Sequence, residues 1–423
     1  MKQYLKDKKV DINTLSIVPR DIDIKPNKEF ISSIIGPRRA GKTYYLYYII
    51  KKLQPPEEDY LFVNFEDIQI KILDTKEKLK IIENHIDLYG KEPKYIFLDE
   101  IQELEHWQEF LYSLYEKKRY YIFVTGSSSK LLSKEIATAL RGRAISTIVF
   151  PFSFKEYLRI KNIDPKQPLS SYEKGRIKHL LKEYLNIGGF PQVVLGYINK
   201  KEFVREYIDI VLYRDLVERF GIENVQAMEY LIYSVIQSNA KEFSINKIYK
   251  QIKDKVSVGN KTLYTYSRYL EQSLFAFYLN KFDWSMKKSM IGQSKVYVND
   301  PGVFSYYCPG DIGRQMETIV FLELKKKELR NELGLYYYKN NYEVDFLVKQ
   351  GPEIKELIQV TYASEFDEIA PREYRALIKA SDLFKEAKLT IVTWDYEDQK
   401  RLSWFGREAK IEFKPLWKWL LKV

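Results

Sequence analysis

Eight residues, Gly36-Pro37-Arg38-Arg39-Ala40-Gly41-Lys42-Thr43, constrain this chain more than any other stretch. They read G-x-x-x-x-G-K-[ST] without a gap. A short apolar run, Phe30 to Ile35, precedes them, and a helical pattern from Thr43 to Leu53 follows until Pro55-Pro56 stops it. A strand, a Gly-rich loop and a helix N-terminus in that order form a phosphate cradle. The glycines let backbone N–H groups approach anionic oxygens, and the helix start adds oriented donors. In such a loop Gly36 to Thr43 line a nucleotide. Lys42 reaches the β- and γ-phosphates, and the Thr43 hydroxyl faces Mg²⁺.

A second element fits the first. Tyr95-Ile96-Phe97-Leu98 runs into Asp99-Glu100, as expected where a buried strand ends at a ligand site. Asp99 is expected to hold Mg²⁺ together with Thr43, and Glu100 to activate water as a general base. Further short apolar runs, Tyr60–Phe65, Tyr120–Thr125 and Ile145–Phe150, alternate with helical or polar sequence. That alternation predicts an α/β domain with a largely parallel sheet. The run ending at Thr125 leads into Gly126-Ser127-Ser128. Ser127 is read either as a polar tip near the γ-phosphate or as a cap for a helix over 131–140. Arg141 and Arg143 follow, each readable as an arginine finger or as a surface arginine.

The order of these elements resembles an AAA-type P-loop ATPase of the additional-strand class. Phe97-Leu98-Asp99-Glu100-Ile101-Gln102, Thr125-Gly126-Ser127-Ser128, Leu140-Arg141-Gly142-Arg143 and Pro151-Phe152-Ser153-Phe154 occur in sequence. Gly188-Gly189-Phe190-Pro191 and Tyr213-Arg214-Asp215 follow. Together they are similar to a large archaeal and bacterial ATPase family with a winged-helix block and a restriction-endonuclease-like C-terminal domain. The resemblance implies ATP, Mg²⁺ and homo-oligomerisation. On this reading 1–155 is the ATPase core, 156–238 a helical lid region, 239–290 a winged-helix-like block and 291–423 the endonuclease-like domain.

The residues of the later blocks can be read on their own terms. Phe243 to Ile248 opens a helix, Val256 to Asn260 is a turn, and Lys261–Leu274 is a second helix. This is a helix-turn-helix arrangement. It places Asn260, Lys261, Thr262, Tyr264 and Arg268 as DNA-contacting candidates; protein contacts are the alternative use of such a block. Farther on, helical Glu317, strand Asp345 and Gln359 follow the order of PD-(D/E)xK nucleases, a candidate second metal site. The lysine of that pattern is missing, since Thr361 stands in its place and Lys355 lies near a turn. The expectation is a nuclease-like fold without nuclease activity.

Bulk properties bound the partners. With 69 Lys and Arg against 58 Asp and Glu, the net charge of +11 favours polyanions, DNA first. One cysteine, Cys308, excludes an internal disulfide, and three scattered histidines make no zinc motif. The first residues lack a signal peptide's apolar stretch, and no apolar run approaches membrane-spanning length. A cytoplasmic protein is expected. Abundant Lys, Glu, Ile and Tyr resemble hyperthermophile composition. The leading functional expectation is an ATP-driven switch or motor acting on DNA or a DNA-bound partner. An ATP-gated nuclease and a protein-directed signalling ATPase are the alternatives.

Overall fold

The computed structural model describes residues 1–126, 142–165 and 169–422. Two compact units divide the chain, 1–151 and 152–423.

In the first unit, five strands form one sheet: β1 (Ile31–Ile35), β2 (Tyr60–Asn64), β3 (Tyr95–Asp99), β4 (Tyr121–Thr125) and β5 (Ala144–Ile148). Their spatial order is β2-β3-β4-β1-β5, and every pairing is parallel. The reason lies in alternation. Ile31, Ile35, Leu61, Val63, Ile96, Leu98, Ile122 and Val124 point to one face. There they meet Trp107, Phe110 and Leu111, on the helix Trp107–Glu116. Ile34, Phe62, Phe97 and Phe123 point to the other face and pack on Tyr45, Leu46 and Ile49 of α2 (Lys42–Leu53). Both faces are apolar, as a sheet covered on two sides requires.

The polar N-terminal leader contains a helix that hydrophobicity did not announce. This α1 (Lys2–Thr14) buries Tyr4, Leu5, Lys9 and Ile12. Lys9 is hidden because its ammonium donates to the Glu57 carbonyl and lies 4.0 Å and 4.7 Å from the centres of the Tyr89 and Tyr60 rings.

The second unit opens with helices, as its periodicity predicts: Phe154–Ile160, Ser171–Ile187, Lys200–Ile210 and Val225–Gln237. The Gly188-Gly189-Phe190-Pro191 turn has a specific anchor. Buried Asp300 accepts from the Gly189 N–H at 2.7 Å and from the Gly302 N–H at 2.7 Å. The block read as helix-turn-helix holds the helices Ile245–Ile252 and Asn260–Gln272, and strands flank them. β6 (Lys241–Phe243), β7 (Ala276–Asn280) and β8 (Ser294–Val298) form a sheet in the order β6-β8-β7, which carries the block past residue 290.

The last sheet is mixed. β9 (Gly334–Lys339), β10 (Glu343–Gln350), β11 (Glu353–Val360), β12 (Lys388–Thr393), β13 (Asp398–Trp404) and β14 (Arg407–Pro415) take the order β13-β14-β12-β11-β10-β9. β11, β12 and β14 run parallel and the outer pairings are antiparallel. The helix Ile312–Glu328 precedes it. Among the described residues, no helix is long and apolar enough to cross a membrane.

Candidate active site

The candidate nucleotide site lies where β1, β3 and β4 end and α2 begins. In open parallel α/β sheets, ligands bind outside the carboxyl ends of the strands. Gly41 caps α2 in the left-handed region at φ 92°, and a Cβ on Gly36 would come 2.2 Å from the Val149 carbonyl oxygen. Each glycine is therefore fixed by geometry, one by its torsion and one by the backbone beside it. Ala40 is fully buried, and its carbonyl accepts from the Arg20 guanidinium at 3.3 Å. Arg39 holds a left-handed φ of 65°.

Beneath this loop the two acids are wired together by hydroxyls. The Thr43 hydroxyl donates to Asp99 Oδ2 at 2.8 Å. The Thr125 hydroxyl donates to Asp99 Oδ1 and accepts from the Glu100 N–H at 2.9 Å. Glu100 turns the chain at a left-handed φ of 50°, an uncommon torsion for a non-glycine residue. Its carboxylate accepts from Gln102 Nε2 at 2.6 Å and lies 3.8 Å from the Lys42 ammonium. Lys42 also leans on the carbonyls of Gly36 and Pro37 at 3.3 Å and 3.4 Å.

The electrostatics follow from burial. Asp99 is fully buried, and its pKa is pushed up to about 7. Desolvation is the main cause and the Glu100 charge adds to it, against the two threonine hydrogen bonds and Lys42. Glu66, just past β2, is likewise raised by burial and then by Glu100. Arg38, 3.9 Å away, pulls it down. A buried carboxylate that resists ionisation, beside a hydroxyl, is a hard-oxygen donor set suited to a divalent cation.

The P-loop residues, Asp99 and Glu100 are thus brought together. Ser127 and Arg141 lie outside the described residues. Arg143 pairs with Glu116 at 3.1 Å and sits over the Tyr112 and Tyr115 rings, on the helix Trp107–Glu116 rather than at this chain's own P-loop. A surface arginine finds its partners nearby, and here an acid and two ring faces supply them. Arg20, Glu66, Gln102 and Thr125 escaped sequence reasoning. Only Thr125 had a signal, as a polar residue ending the apolar run Tyr120–Thr125.

The other candidates occupy the second unit. On the helix Asn260–Gln272, Leu263, Tyr266 and Leu270 are buried while Lys261, Tyr264 and Arg268 are exposed. Thr262 and Asn260 are half-buried, and Asn260 donates to Asn246 at 2.8 Å. Glu317 and Asp345 do converge, but around a lysine, with Gln359 behind Asp345. Lys295 of β8 lies 3.1 Å from Glu317 Oε1, 2.9 Å from Asp345 Oδ1 and 2.9 Å from Glu343 Oε1. Gln359 is spent on Glu373 and on the Asp345 N–H. Among the described residues, no group of three or more His, Cys, Asp or Glu could hold a metal ion. Where a second metal site was expected, the Lys295 ammonium lies between the acids.

Two family models match the chain. Residues 28–158 match an AAA domain, and residues 178–311 match a domain of unknown function (DUF8612). The uncharacterized protein MJ1544 of Methanocaldococcus jannaschii is 40% identical over 419 residues, 96% of this chain and 91% of that one. An uncharacterized protein of Haemophilus influenzae is 27% identical, over 89% of this chain and 92% of its own. Two solved structures also match, at low scores. The Walker-type ATPase PABY2304 of Pyrococcus abyssi has a TM-score of 0.42 and 14% identity, covering 70% of this chain and 99% of its own. The ORC1 protein of Aeropyrum pernix, in complex with DNA, has a TM-score of 0.31 and 13% identity, covering 70% of this chain and 95% of its own. With an AAA domain at residues 28–158 and its near full-length identity to MJ1544, the chain belongs to the family of that archaeal protein.

Proposed function

We propose that this chain is a Mg²⁺-dependent ATP hydrolase that works as a molecular switch or motor on DNA or a DNA-bound partner. The observation that carries the reading is the hydroxyl-wired pair beneath the P-loop, in which Thr43, Asp99, Thr125 and Glu100 form one continuous chain of hydrogen bonds. Backbone N–H groups of 36–43 and the α2 N-terminus take the phosphates, and Lys42 leaves its carbonyl contacts for the β- and γ-oxygens. Thr43 and Asp99 hold Mg²⁺, which supplies charge neutralisation on the phosphates when bound. Glu100 accepts the proton of the attacking water, with Gln102 holding the carboxylate's other oxygen. Arg141 or Arg143 serves a neighbouring copy in a homo-oligomer, which would account for Arg143 lying away from its own P-loop.

The DNA part of the reading rests on one helix face. Lys261, Tyr264, Thr265 and Arg268 recur at i, i+3, i+4 and i+7, and all four are exposed. Exposed Lys247, Lys250, Lys253 and Lys255 lie on and just past the preceding helix. This is the arrangement of a winged-helix reader whose second helix enters a groove while lysines meet phosphates. The reading takes the last sheet as an endonuclease-like fold, supported by its mixed six-stranded order.

The test is the steady-state ATPase rate with and without duplex or single-stranded DNA, for wild type beside Glu100→Gln. Stimulation by DNA, lost in Glu100→Gln and weakened by Lys261→Glu with Arg268→Glu, is the expected result. A rate indifferent to DNA makes the chain a protein-directed switch. Equal rates for wild type and Glu100→Gln would remove Glu100 from its role.

A further inference from the structure

The acid cluster of the second unit is built like a cation site and already contains a cation. Three carboxylates, Glu317, Glu343 and Asp345, surround the Lys295 ammonium at 2.9 to 3.1 Å. Lys295 is 3% exposed at its side chain, and Glu317 and Asp345 are 13% and 9% exposed. The remaining bonds close the site further. Tyr297, itself fully buried, donates its hydroxyl to Glu317 Oε1 at 2.7 Å. Asp345 Oδ2 accepts from the Val360 N–H at 3.0 Å. Lys339 bridges Glu343 to Glu242 at 3.1 Å each.

We propose that Lys295 is a resident substitute for a divalent metal ion, making this nuclease-like centre a metal-free structural lock. The argument is one of charge and reach. Asp345 and Glu317, 9% and 13% exposed, with half-buried Glu343 beside them, demand a counter-charge near their common centre, and buried carboxylates left without one are strongly destabilising. A metal ion would meet that demand in a hydrolytic site, and here β8 carries a lysine into the position instead. Its side chain comes from a strand outside the PD-(D/E)xK order, which is why the motif alone suggested a metal. An ammonium offers neither open coordination positions nor a bound water of lowered pKa, so metal-assisted hydrolysis has no starting point. The β8 strand also belongs to the small sheet with β6 and β7. The lock therefore ties the helix-turn-helix block to the last sheet through Lys295, beside the Glu242–Lys339 pair.

The experiment uses the full chain without nucleotide. Mn²⁺ is titrated at pH 7.5 and bound ion is read by electron paramagnetic resonance, with melting followed in parallel. Wild type is expected to hold no Mn²⁺ that Asp345→Asn removes. Lys295→Met, similar in length and uncharged, is expected to melt well below wild type and to gain Mn²⁺ binding that Asp345→Asn abolishes. Added Mn²⁺ should then raise its melting temperature. Should Lys295→Met fail to fold, the pair Lys295→Met with Glu317→Gln, which removes one of the unbalanced charges, is expected to fold. Mn²⁺ held by wild type and lost in Asp345→Asn would overturn the proposal. A folded Lys295→Met chain that binds no Mn²⁺, or a double variant that still fails to fold, would overturn it equally.

Discussion

The two acid sites of this chain begin alike and end differently. Each gathers carboxylates beside a sheet, and each holds one acid, fully buried Asp99 or largely buried Glu317, that burial pushes up to about 7. Around Asp99 the partners are two hydroxyls, and the nearby lysine, Lys42, stands 3.8 Å from Glu100 with its ammonium against loop carbonyls. Around Glu317 the lysine is already in contact with three carboxylates. The lesson concerns what neutralises a buried acid. Hydroxyls stabilise a carboxylate without cancelling its charge and so leave room for a cation. An ammonium cancels the charge and closes the site. Burial also works most strongly against the charge on Lys295, yet Asp345, Glu317 and Glu343 together hold its pKa well above the usual lysine range.

The sharpest way to break this comparison is to remove each lysine. Lys295→Ala leaves Asp345, Glu317 and half-buried Glu343 without their cation and is expected to cost about 3–5 kcal/mol of stability. ATP affinity should be unchanged. Lys42→Ala should do the reverse, lowering nucleotide affinity by a factor of about 100 or more while stability moves by less than about 1 kcal/mol. Chemical denaturation and nucleotide titration on the two variants decide it. If Lys42→Ala destabilises as much as Lys295→Ala, the two sites are the same kind of lock.

That division was only half legible in the sequence. The P-loop, Asp99 and Glu100 were readable because phosphate chemistry fixes both residue types and spacing, and apolar runs located all five strands of their sheet within a residue or two. Thr125 carried a weak signal, overshadowed by the polar Ser127 beyond it. Lys295 carried none. It lies 22 residues before Glu317 and 50 before Asp345, and nothing in a one-dimensional pattern says that β8 delivers its side chain between them. The same applies to Arg20 against the Ala40 carbonyl and to Asp300 against Gly189. Such contacts join distant segments through a single polar group and leave no periodicity. The helix α1 was missed for a related reason, since only Tyr4, Leu5 and Ile12 mark its apolar face and Lys9 is buried by ring faces and a carbonyl.

A smaller effect sharpens the hydroxyl side of the comparison. Thr125 ties Asp99 to the Glu100 backbone, a hydrogen bond to a charged group worth roughly 1.5–3 kcal/mol. Thr125→Val keeps the shape and removes the hydroxyl. Its ATP turnover is expected to fall by a factor of roughly 10–100 with little change in KM for ATP, and Thr125→Ser should restore most of it. A rise in KM with unchanged turnover would make the hydroxyl a binding group instead.

The acidities give a third handle. Because the folded-state pKa of Asp99 lies above its ordinary value of 3.8, the stability linked to it is fully present below about pH 4. It is lost as pH rises through about 7. Asp99→Asn does not titrate. In nucleotide-free protein the variant should therefore gain on wild type between pH 5.5 and 8, by on the order of 2 kcal/mol. Mg²⁺ with ATP should erase the advantage, since wild-type Asp99 then has its cation. A gap that stays constant with pH would mean that Asp99 is ionised throughout, with another charge supporting it.

The smallest effect is expected at Glu317, whose raised acidity invites the same treatment but whose surroundings differ. Burial is again the main cause, the Asp345 charge the second, and Lys295 and Tyr297 oppose both. The sign is the same as for Asp99: stability is present below about pH 4.5 and is lost as pH rises through about 7. Glu317→Gln should then be close to neutral at pH 6 and gain about 1 kcal/mol on wild type at pH 8, less than Asp99→Asn, because it also gives up one Lys295 contact. Urea denaturation at the two pH values measures the difference. Mg²⁺ with ATP should leave this gap untouched, which separates it from the Asp99 result. If Glu317→Gln instead loses several kcal/mol at both pH values, Lys295 depends on all three carboxylates at once, and the lock is tighter than pairwise contacts imply.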